Sequence, residues 1–399
     1  MTSRWSILAL LFSVRTCMGI QFQSVPAISP LFLQDFAVSV ADIGLLIGLY
    51  HAPGIALAVP GGGLGRRFGD TVVVSAGLGL MLLGTLIMAV MPGWGSQIAG
   101  RLIAGIGAVL LNVLMSKMVT DWFVGREMAT AMGIFVNSWP FGIAIGLVLF
   151  PLIAVRGGVQ AVNVAVILFI AVALVALVAL YRPPPTTTPA TAKPQLAGGW
   201  PAGTALAAVL VAGLIWGFYN AALGVVFGFG TLMLTERNWS LEGASLATSL
   251  VLWSMVPCLP FGGVIADRLG RHVTMIIASC TAFALLLLAA TRLEMTFPIF
   301  VLIGILGGLA AGPIMSLPSR VLGAETRAVG MGLFFTMFYA LQAAGPWIAG
   351  RVSTYRGQAT GAFDTGVAFL LVTMALVWVF AALIARLHIP VPADRAVRS

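Results

Sequence analysis

The sequence has very little charge. Only 8% of its 399 residues are Asp, Glu, Lys or Arg, whereas soluble globular domains carry about 25%. A soluble fold of this size needs more charged residues to cover its surface, so the composition excludes a soluble enzyme and a disordered protein. The net charge of +9 does not indicate a nucleic-acid partner, because the basic residues are scattered singly between apolar runs. We therefore predict a polytopic membrane protein.

Patterns for metal ions, disulfides and catalysis are also missing. Cys17, Cys258 and Cys280 lie far apart in apolar stretches, with no C-x-x-C spacing, and the three histidines are equally scattered. No nucleotide loop or catalytic triad is visible, so we expect no metal, no cofactor and no enzyme. The N-terminus resembles a secretion signal, but Arg15 interrupts it and apolar character continues to about Ser29. We predict a first span that is retained.

Apolar segments long enough to cross a bilayer fill most of the chain. A spanning helix needs roughly 20 apolar residues, and cutting at charges, prolines and glycine clusters gives twelve segments. The predicted spans are Trp5–Ser29, Ala41–Pro60, Thr71–Met91, Ser96–Met118, Glu127–Phe150, Gln160–Tyr181, Thr204–Gly228, Gly243–Gly262, Val273–Thr291, Pro298–Pro318, Ala328–Gly350 and Phe363–Arg386. A proline-rich linker, 182–202, separates them into two six-helix bundles, 1–181 and 203–399. The expected fold is an all-α membrane protein with two pseudo-symmetric halves around a central cavity.

The basic residues predict the orientation of these spans. If the N-terminus is inside, inner loops and tails hold 14 of the 21 Lys and Arg residues, outer loops hold 5, and Arg15 and Arg101 lie within spans. The positive-inside rule then places both termini in the cytoplasm. We expect a monomeric, multi-pass protein of the cell (inner) membrane whose partners are the lipid bilayer and a small-molecule substrate.

The two halves repeat one another, which is typical of transporters built from repeats. Gly62–Gly69 follows the second span, and Gly263–Arg271 follows the eighth, about 200 residues later. Gly263–His272 nearly matches the loop signature G-x-L-A-D-R-x-G-R-K of the major facilitator superfamily, which the sequence resembles along its whole length. Arg66 departs from that pattern, since it stands where the first half usually has the aspartate. Local patterns around Arg15 and Asn137 are similar to the cyanate and nitroimidazole transporter branch.

The resemblance implies alternating access, by symport or antiport, with spans one, four, seven and ten lining the cavity. It also implies an inner latch, in which Asp267 accepts hydrogen bonds from arginines across the half. The predicted gating residues are Arg66, Arg126, Asp267, Arg268, Arg271 and Arg101. The alternative is a solvated loop that only sets topology, and for Arg101 a role in helix packing.

Arg15 is the predicted centre of the substrate site. It lies ten residues beyond Trp5, so it is about 15 Å deep, near the midplane, at about 1.5 Å of rise per residue. All twelve acidic residues fall at span ends or in loops, so no buried carboxylate neutralises Arg15, and the missing partner is interpreted as an anionic substrate. Alternatively, Arg15 is structural and binds backbone carbonyls and Gln side chains.

Other polar and aromatic residues at similar depth complete the predicted site. They are Gln23, His51, Asn112, Asn137, Trp216, Tyr219, Asn220, Tyr339 and Gln342. Histidine ordinarily titrates near physiological pH, so His51 is either the carrier of a coupling proton or a neutral buried residue. The sequence predicts a secondary transporter of a small organic or inorganic anion. The alternatives are an exporter of neutral or amphipathic small molecules, in which Arg15 is structural, and a membrane sensor that does not transport.

Overall fold

The structure, a computed structural model, describes residues 3–58, 60–91, 93–123, 127–184, 200–323 and 326–386. This part of the chain contains helices and no strand. In the first half, span one is formed by Arg4–Gln23 and Ser29–Asp35, span two by Val40–Leu49, Pro53–Leu57 and Gly61–Phe68, span three by Asp70–Val90, span four by Trp94–Phe123, and spans five and six by Met128–Val136 and Ser138–Leu180. In the second half, span seven is formed by Gly203–Thr235, span eight by Leu241–Leu269, span nine by His272–Arg292, span ten by Thr296–Gly308 and Ala311–Met315, span eleven by Arg327–Arg356 and span twelve by Thr360–Arg386.

The helices agree with the predicted all-α fold of twelve spans. Ten helical stretches in the described residues are long and apolar enough to cross a membrane. One of these, Thr130–Leu180, contains both spans five and six, which meet where Gly157 and Gly158 leave helical geometry. Span eleven is not among the ten, although it is 30 residues long. Because span eleven packs against span two of the other half, it needs less apolar surface. The division at the linker stays a prediction, since 185–199 lie outside the described residues.

Several helices are longer than predicted because hydropathy marks only their apolar sections. Span four was expected to end at Met118, yet its helix continues to Phe123. An ion pair joins Asp121 in the added turn to Lys117 in the turn before it, with 3.0 Å between Nζ and Oδ2. Such a pair, four residues apart, lies on one helix face and favours continued helix. Span eight likewise extends to Leu269 instead of Gly262.

Three spans of the first half are broken just before a proline. Span one is interrupted between Gln23 and Pro26, span two just before Pro53, and span five at Asn137, three residues before Pro140. A proline has no backbone N–H, so the carbonyl four residues earlier loses its helical hydrogen bond. In a membrane those carbonyls need another donor.

The two halves touch most closely along spans two and eleven. Small residues allow this approach, since a Cβ atom added to Gly48 would lie only 2.0 Å from the carbonyl oxygen of Ala343, and one added to Gly44 would lie 2.2 Å from that of Pro346. Close backbone contact through glycine is a common way for membrane helices to pack.

We call the end of the bundle where span one begins the linker end, and the end near Asp35 and Arg356 the far end. Three of the four hydrogen bonds between the halves that are recorded in the described residues lie toward the far end. They join Gln23 Nε2 to Phe227 O (3.0 Å), Ser245 Oγ to Ala27 O (3.2 Å) and Ala41 N to Thr354 Oγ1 (3.1 Å). The halves are therefore closed against one another at the far end.

Candidate functional site

A cavity of about 90 Å³ lies between the halves, midway along the spans. Its walls come from spans one, two, four and five of the first half and from span eleven of the second. The lining residues are Arg15, Met18, Tyr50, His51, Ala108, Val109, Asn112, Trp139, Phe338 and Tyr339. Arg15 is the one charged residue among these ten, and none of them is acidic. The cavity is therefore electropositive and largely aromatic.

One part of the Arg15 guanidinium holds the broken fifth span. Its Nη1 donates to Phe135 O (3.0 Å), Val136 O (3.1 Å) and Ser138 Oγ (3.0 Å). Pro140 lacks the N–H that would bind Val136 O in an unbroken helix. Arg15 supplies that donor instead, so its Nη1 has a structural role. This matches the structural alternative considered for Arg15, with the carbonyls of span five as its partners.

The other edge of the guanidinium belongs to the cavity. Nε and Nη2 both donate to one acceptor, Asn112 Oδ1 on span four, at 3.1 and 2.8 Å. Asn112 Nδ2 in turn donates to the hydroxyl oxygen of Tyr339, at 3.1 Å, which is the fourth hydrogen bond between the halves. An arginine has five N–H groups, and the second N–H of Nη2 has no acceptor in the described part of the chain. Arg15 therefore links the break in span five to the second half of the protein.

Arg101 binds backbone carbonyls beside the break in span one, as Arg15 does in span five. It does not line the cavity. It is completely buried, and it donates to the carbonyl oxygens of Leu46 (3.2 Å), Gln21 (2.9 Å) and Phe22 (2.5 Å). The carbonyl of Phe22 is free because Pro26 follows four residues later. The Tyr50 ring also lies 4.6 Å from the guanidinium carbon, within cation–π range. These contacts fit the packing alternative, and a gating role stays a prediction.

His51 lies among aromatic rings at the edge of the cavity. Ring centroids of Phe22, Trp139 and Tyr339 are 5.1, 5.8 and 6.3 Å from the imidazole. The side chain is 8% exposed, its Nδ1 is enclosed, and neither ring nitrogen has a hydrogen-bond partner in the residues that the structure describes. A buried polar atom without a partner needs an explanation, such as a bound water or ligand. Proton coupling by His51 stays a prediction.

Four of the predicted site residues thus share the cavity, namely Arg15, His51, Asn112 and Tyr339. The other six are not among the lining residues, namely Gln23, Asn137, Trp216, Tyr219, Asn220 and Gln342. Gln23 bonds across the halves at the far end, and Asn137 Nδ2 donates to Gly133 O at 3.1 Å. Tyr219 is buried and donates to Gly307 O at 2.9 Å.

Trp216 is the one of these six that reaches the cavity wall. It stacks at 6.2 Å on Phe338, which lines the cavity, while Asn220 Nδ2 donates to Trp216 O at 2.8 Å. Gln342 is buried close to Gly224. Depth along a span is what the sequence predicts for these residues, whereas the direction each side chain faces depends on rotation of its helix.

Six of the ten lining residues were not in the predicted site, namely Met18, Tyr50, Ala108, Val109, Trp139 and Phe338. Met18 follows Arg15 by three residues, which places the two on one helix face. Tyr50 and Phe338 each precede a predicted site residue, His51 and Tyr339. An aromatic residue directly before a predicted site residue at mid-depth was therefore the available signal in both cases.

The predicted latch has a different partner from those expected. Asp267 is largely exposed, and its Oδ1 lies 3.3 Å from Nε2 of His272. Arg268 and Arg271 are exposed, with no recorded pairing to Asp267, whereas Arg320 at the end of span ten lies within its electrostatic reach. Arg126 and the side chain of Arg66 lie outside what the structure describes. The gating assignments therefore stay predictions.

The corresponding loop of the first half has its own ion pair. Asp70, in the first turn of span three, accepts from Nζ of Lys117 on span four, and Lys117 also pairs with Asp121. A carboxylate at a helix N-terminus is stabilised by the helix dipole. Both halves therefore place a carboxylate at the linker end, in different local arrangements.

Comparisons with known proteins extend over the whole chain. The profile of the Major Facilitator Superfamily matches residues 11–235 and 205–398. The Inner membrane transport protein YajR of Escherichia coli (strain K12) is 25% identical over 373 residues, which are 90% of this chain and 72% of that protein. The Choline/ethanolamine transporter FLVCR2 of Homo sapiens is 26% identical over 153 residues, 38% of this chain and 29% of that protein.

A solved structure shows the same fold. The bacterial homolog of the human lysosomal transporter Spinster, in an inward-facing and occupied conformation, aligns with a TM-score of 0.77 at 15% identity. The alignment covers 97% of this chain and 99% of that one. The predicted fold class and superfamily are confirmed, while the cyanate and nitroimidazole branch stays a prediction. The chain belongs to the Major Facilitator Superfamily and is a multi-pass membrane transporter rather than an enzyme.

Proposed function

We propose that this protein is a secondary active transporter of small organic or inorganic anions, working by alternating access in the cell (inner) membrane. The observation that carries the proposal is the cavity between the halves, whose ten lining residues include one guanidinium and no carboxylate. A charge at the bilayer centre costs about 2.5–3.5 kcal/mol even on the mildest scale. An anionic substrate recovers part of that cost, whereas a cation adds a second positive charge.

Alternating access is supported by the uneven contacts between the halves. Three inter-half hydrogen bonds lie toward the far end, and the fourth, between Asn112 and Tyr339, lies at the cavity. Rocking of one half against the other around a site at the midplane requires contacts that can break at one end while the site remains. Single hydrogen bonds meet this requirement, because each is worth only about 1 kcal/mol.

A neutral or amphipathic substrate is the second candidate. It is favoured by the Arg15 contacts, since four of the five guanidinium N–H groups already have acceptors within the protein. The remaining wall is mostly rings, which suit an uncharged planar molecule as well. Under this alternative, Arg15 serves only as the clamp on span five.

A thermal-shift titration of purified protein with matched pairs of ligands distinguishes the candidates. Acetate and benzoate are compared with acetamide and benzamide, which have nearly the same shape without the charge. We expect stabilisation by the acids and none by the amides, and loss of the acid effect in Arg15→Gln. Counterflow of the stabilising acid in proteoliposomes then tests transport itself. Stabilisation by amides alone would favour the second candidate.

The proposed orientation places both termini and the 182–202 linker in the cytoplasm. A cysteine introduced at Thr187 should react with a membrane-impermeant reagent only after cells are permeabilised. Labelling in intact cells would contradict this orientation and leave the fold unaffected.

A further inference from the structure

The Arg15 guanidinium has two edges with different acceptors. Nη1 faces the backbone of span five and binds fixed carbonyl oxygens. Nε and Nη2 face Asn112 and converge on a single amide oxygen. The first edge is fully occupied by Phe135 O, Val136 O and Ser138 Oγ, and Val136 O has lost its helical donor because Pro140 has no N–H. The second edge is bound to one movable side chain, and one Nη2 N–H has no acceptor in the described residues.

The Nε and Nη2 edge is the one that matches a carboxylate. Two parallel N–H groups in a plane bind the two oxygens of a carboxylate, and such charge-assisted bonds are about twice as strong as neutral ones. Asn112 offers one neutral oxygen to both N–H groups, with unequal distances of 3.1 and 2.8 Å. A carboxylate supplies a second oxygen and a full negative charge, so it is the better partner for this edge.

We propose that the substrate is a planar monoanion, above all a monocarboxylate, that displaces Asn112 from the Nε and Nη2 edge of Arg15. Asn112 then acts as a specificity-determining residue that occupies the edge until a suitable anion arrives. Neutral ligands do not displace it, because they exchange one neutral acceptor for another. This inference rests on the proposed anion transport and specifies the class of anion.

Displacement of Asn112 also affects the contact between the halves. Asn112 Nδ2 donates to the Tyr339 hydroxyl, and this orientation depends on Oδ1 pointing at Arg15. The Tyr339 ring is held closely against span two, since a Cβ atom added to Gly54 would lie 2.4 Å from it. When the amide turns away from Arg15, the hydrogen bond at the cavity between the halves is lost. Substrate binding is thereby coupled to a contact that must break for the halves to move.

Two substitutions of Asn112 with opposite expected effects test the inference. Asn112→Asp places a permanent carboxylate beside Arg15, so benzoate affinity should fall at least about tenfold. Asn112→Leu has a similar size and removes the competing oxygen, so benzoate affinity should rise roughly fivefold, the factor that one ordinary hydrogen bond is worth. Thr120→Val on the same span is the control, since Thr120 lies two turns from Asn112 and outside the cavity lining, and it should leave benzoate affinity within about twofold. Calorimetric titration with benzoate, and with benzamide as the neutral match, gives these affinities.

The outcomes separate this inference from the proposed function. If the unmodified protein binds benzamide and not benzoate, the proposed anion transport fails. If it binds benzoate but Asn112→Leu weakens binding as much as Asn112→Asp does, Asn112 is merely structural and the inference is overturned. The melting temperature without ligand is a second measurement, should Asn112→Leu fail to fold. Asn112→Asp should raise that temperature, because it neutralises a buried charge, and an unchanged or lower value would contradict the displacement.

Discussion

Adding one methyl group at Gly48 should open the far end of the transporter. A Cβ atom there would lie 2.0 Å from the carbonyl oxygen of Ala343 and 2.9 Å from its carbonyl carbon. Ordinary carbon–oxygen contacts are about 3.3–3.6 Å, so spans two and eleven must separate by more than about 1 Å. The obstacle is backbone, which cannot turn aside as a flexible side chain does.

The cost of this clash can be estimated from overpacked sites. Inserted methylene groups in well-packed regions cost about 1–3 kcal/mol. The clash exists only while the far end is closed, so the whole cost falls on one of the two states. A difference of about 1–3 kcal/mol changes the ratio of two states by roughly 5- to 150-fold. Gly48→Ala should therefore shift most molecules to a state in which the far end is open.

Spin labels on opposite halves report this change directly. Gln34 on span one and Tyr355 on span eleven are exposed at the far end, and cysteines there can be labelled once Cys17, Cys258 and Cys280 are replaced. Pulsed electron resonance should show a longer distance distribution for Gly48→Ala than for the parent. Gly79→Ala is the matched control, since nothing lies within 4 Å of its added Cβ. Identical distributions for all three proteins would refute the close-packed interface.

Three further predictions follow from the other described contacts. Arg101→Lys keeps the charge but leaves carbonyls of Leu46, Gln21 or Phe22 without a donor. The free energy of unfolding in detergent should fall by about 1–3 kcal/mol for each carbonyl that loses its donor. An unchanged melting temperature would show that Arg101 does not stabilise the break in span one. Asp267→Asn removes an exposed pair with His272 worth less than about 1 kcal/mol, so expression should be normal. Transport should fall, and the conformational equilibrium should move toward the state open at the linker end. Unchanged uptake and unchanged accessibility would show that Asp267 is not a gate. His51→Gln should abolish the pH dependence of transport and leave exchange of labelled for unlabelled substrate intact, and a pH profile like that of the parent would rule out His51 as the proton carrier.

The fold was predictable from the sequence because hydropathy and the paired glycine loops both depend on short stretches of chain. The number of spans and the superfamily needed no knowledge of which helices touch. Helix ends were less predictable, since span four continues beyond Met118 to Phe123, where Asp121 pairs with Lys117.

The site was predictable only in part. Counting residues from the span ends identified the depth of Arg15, Asn112 and Tyr339, which do meet at the cavity. The same counting selected Gln23, which instead joins the halves at the far end. Depth does not give rotation about the helix axis, and rotation depends on packing between spans distant in sequence.

The two arginine clamps show the same limit. The sequence places Arg15 and Arg101 within spans, and it places Pro26 and Pro140 within spans as well. The pairing of Arg101 with the break in span one, and of Arg15 with the break in span five, requires helix crossings. No local pattern records which arginine lies beside which break.

The central claim is that an anion binds directly to Arg15 at the midplane cavity. Solid-state NMR with carboxyl-¹³C benzoate and ¹⁵N-arginine protein measures this contact without assuming any structure of the complex. We expect dephasing that corresponds to about 4 Å between the carboxylate carbon and a guanidinium nitrogen, as a bidentate pair requires, and its disappearance in Arg15→Lys. Benzoate that binds without such dephasing, or with dephasing that survives Arg15→Lys, would contradict the assignment of Arg15 as the anion site.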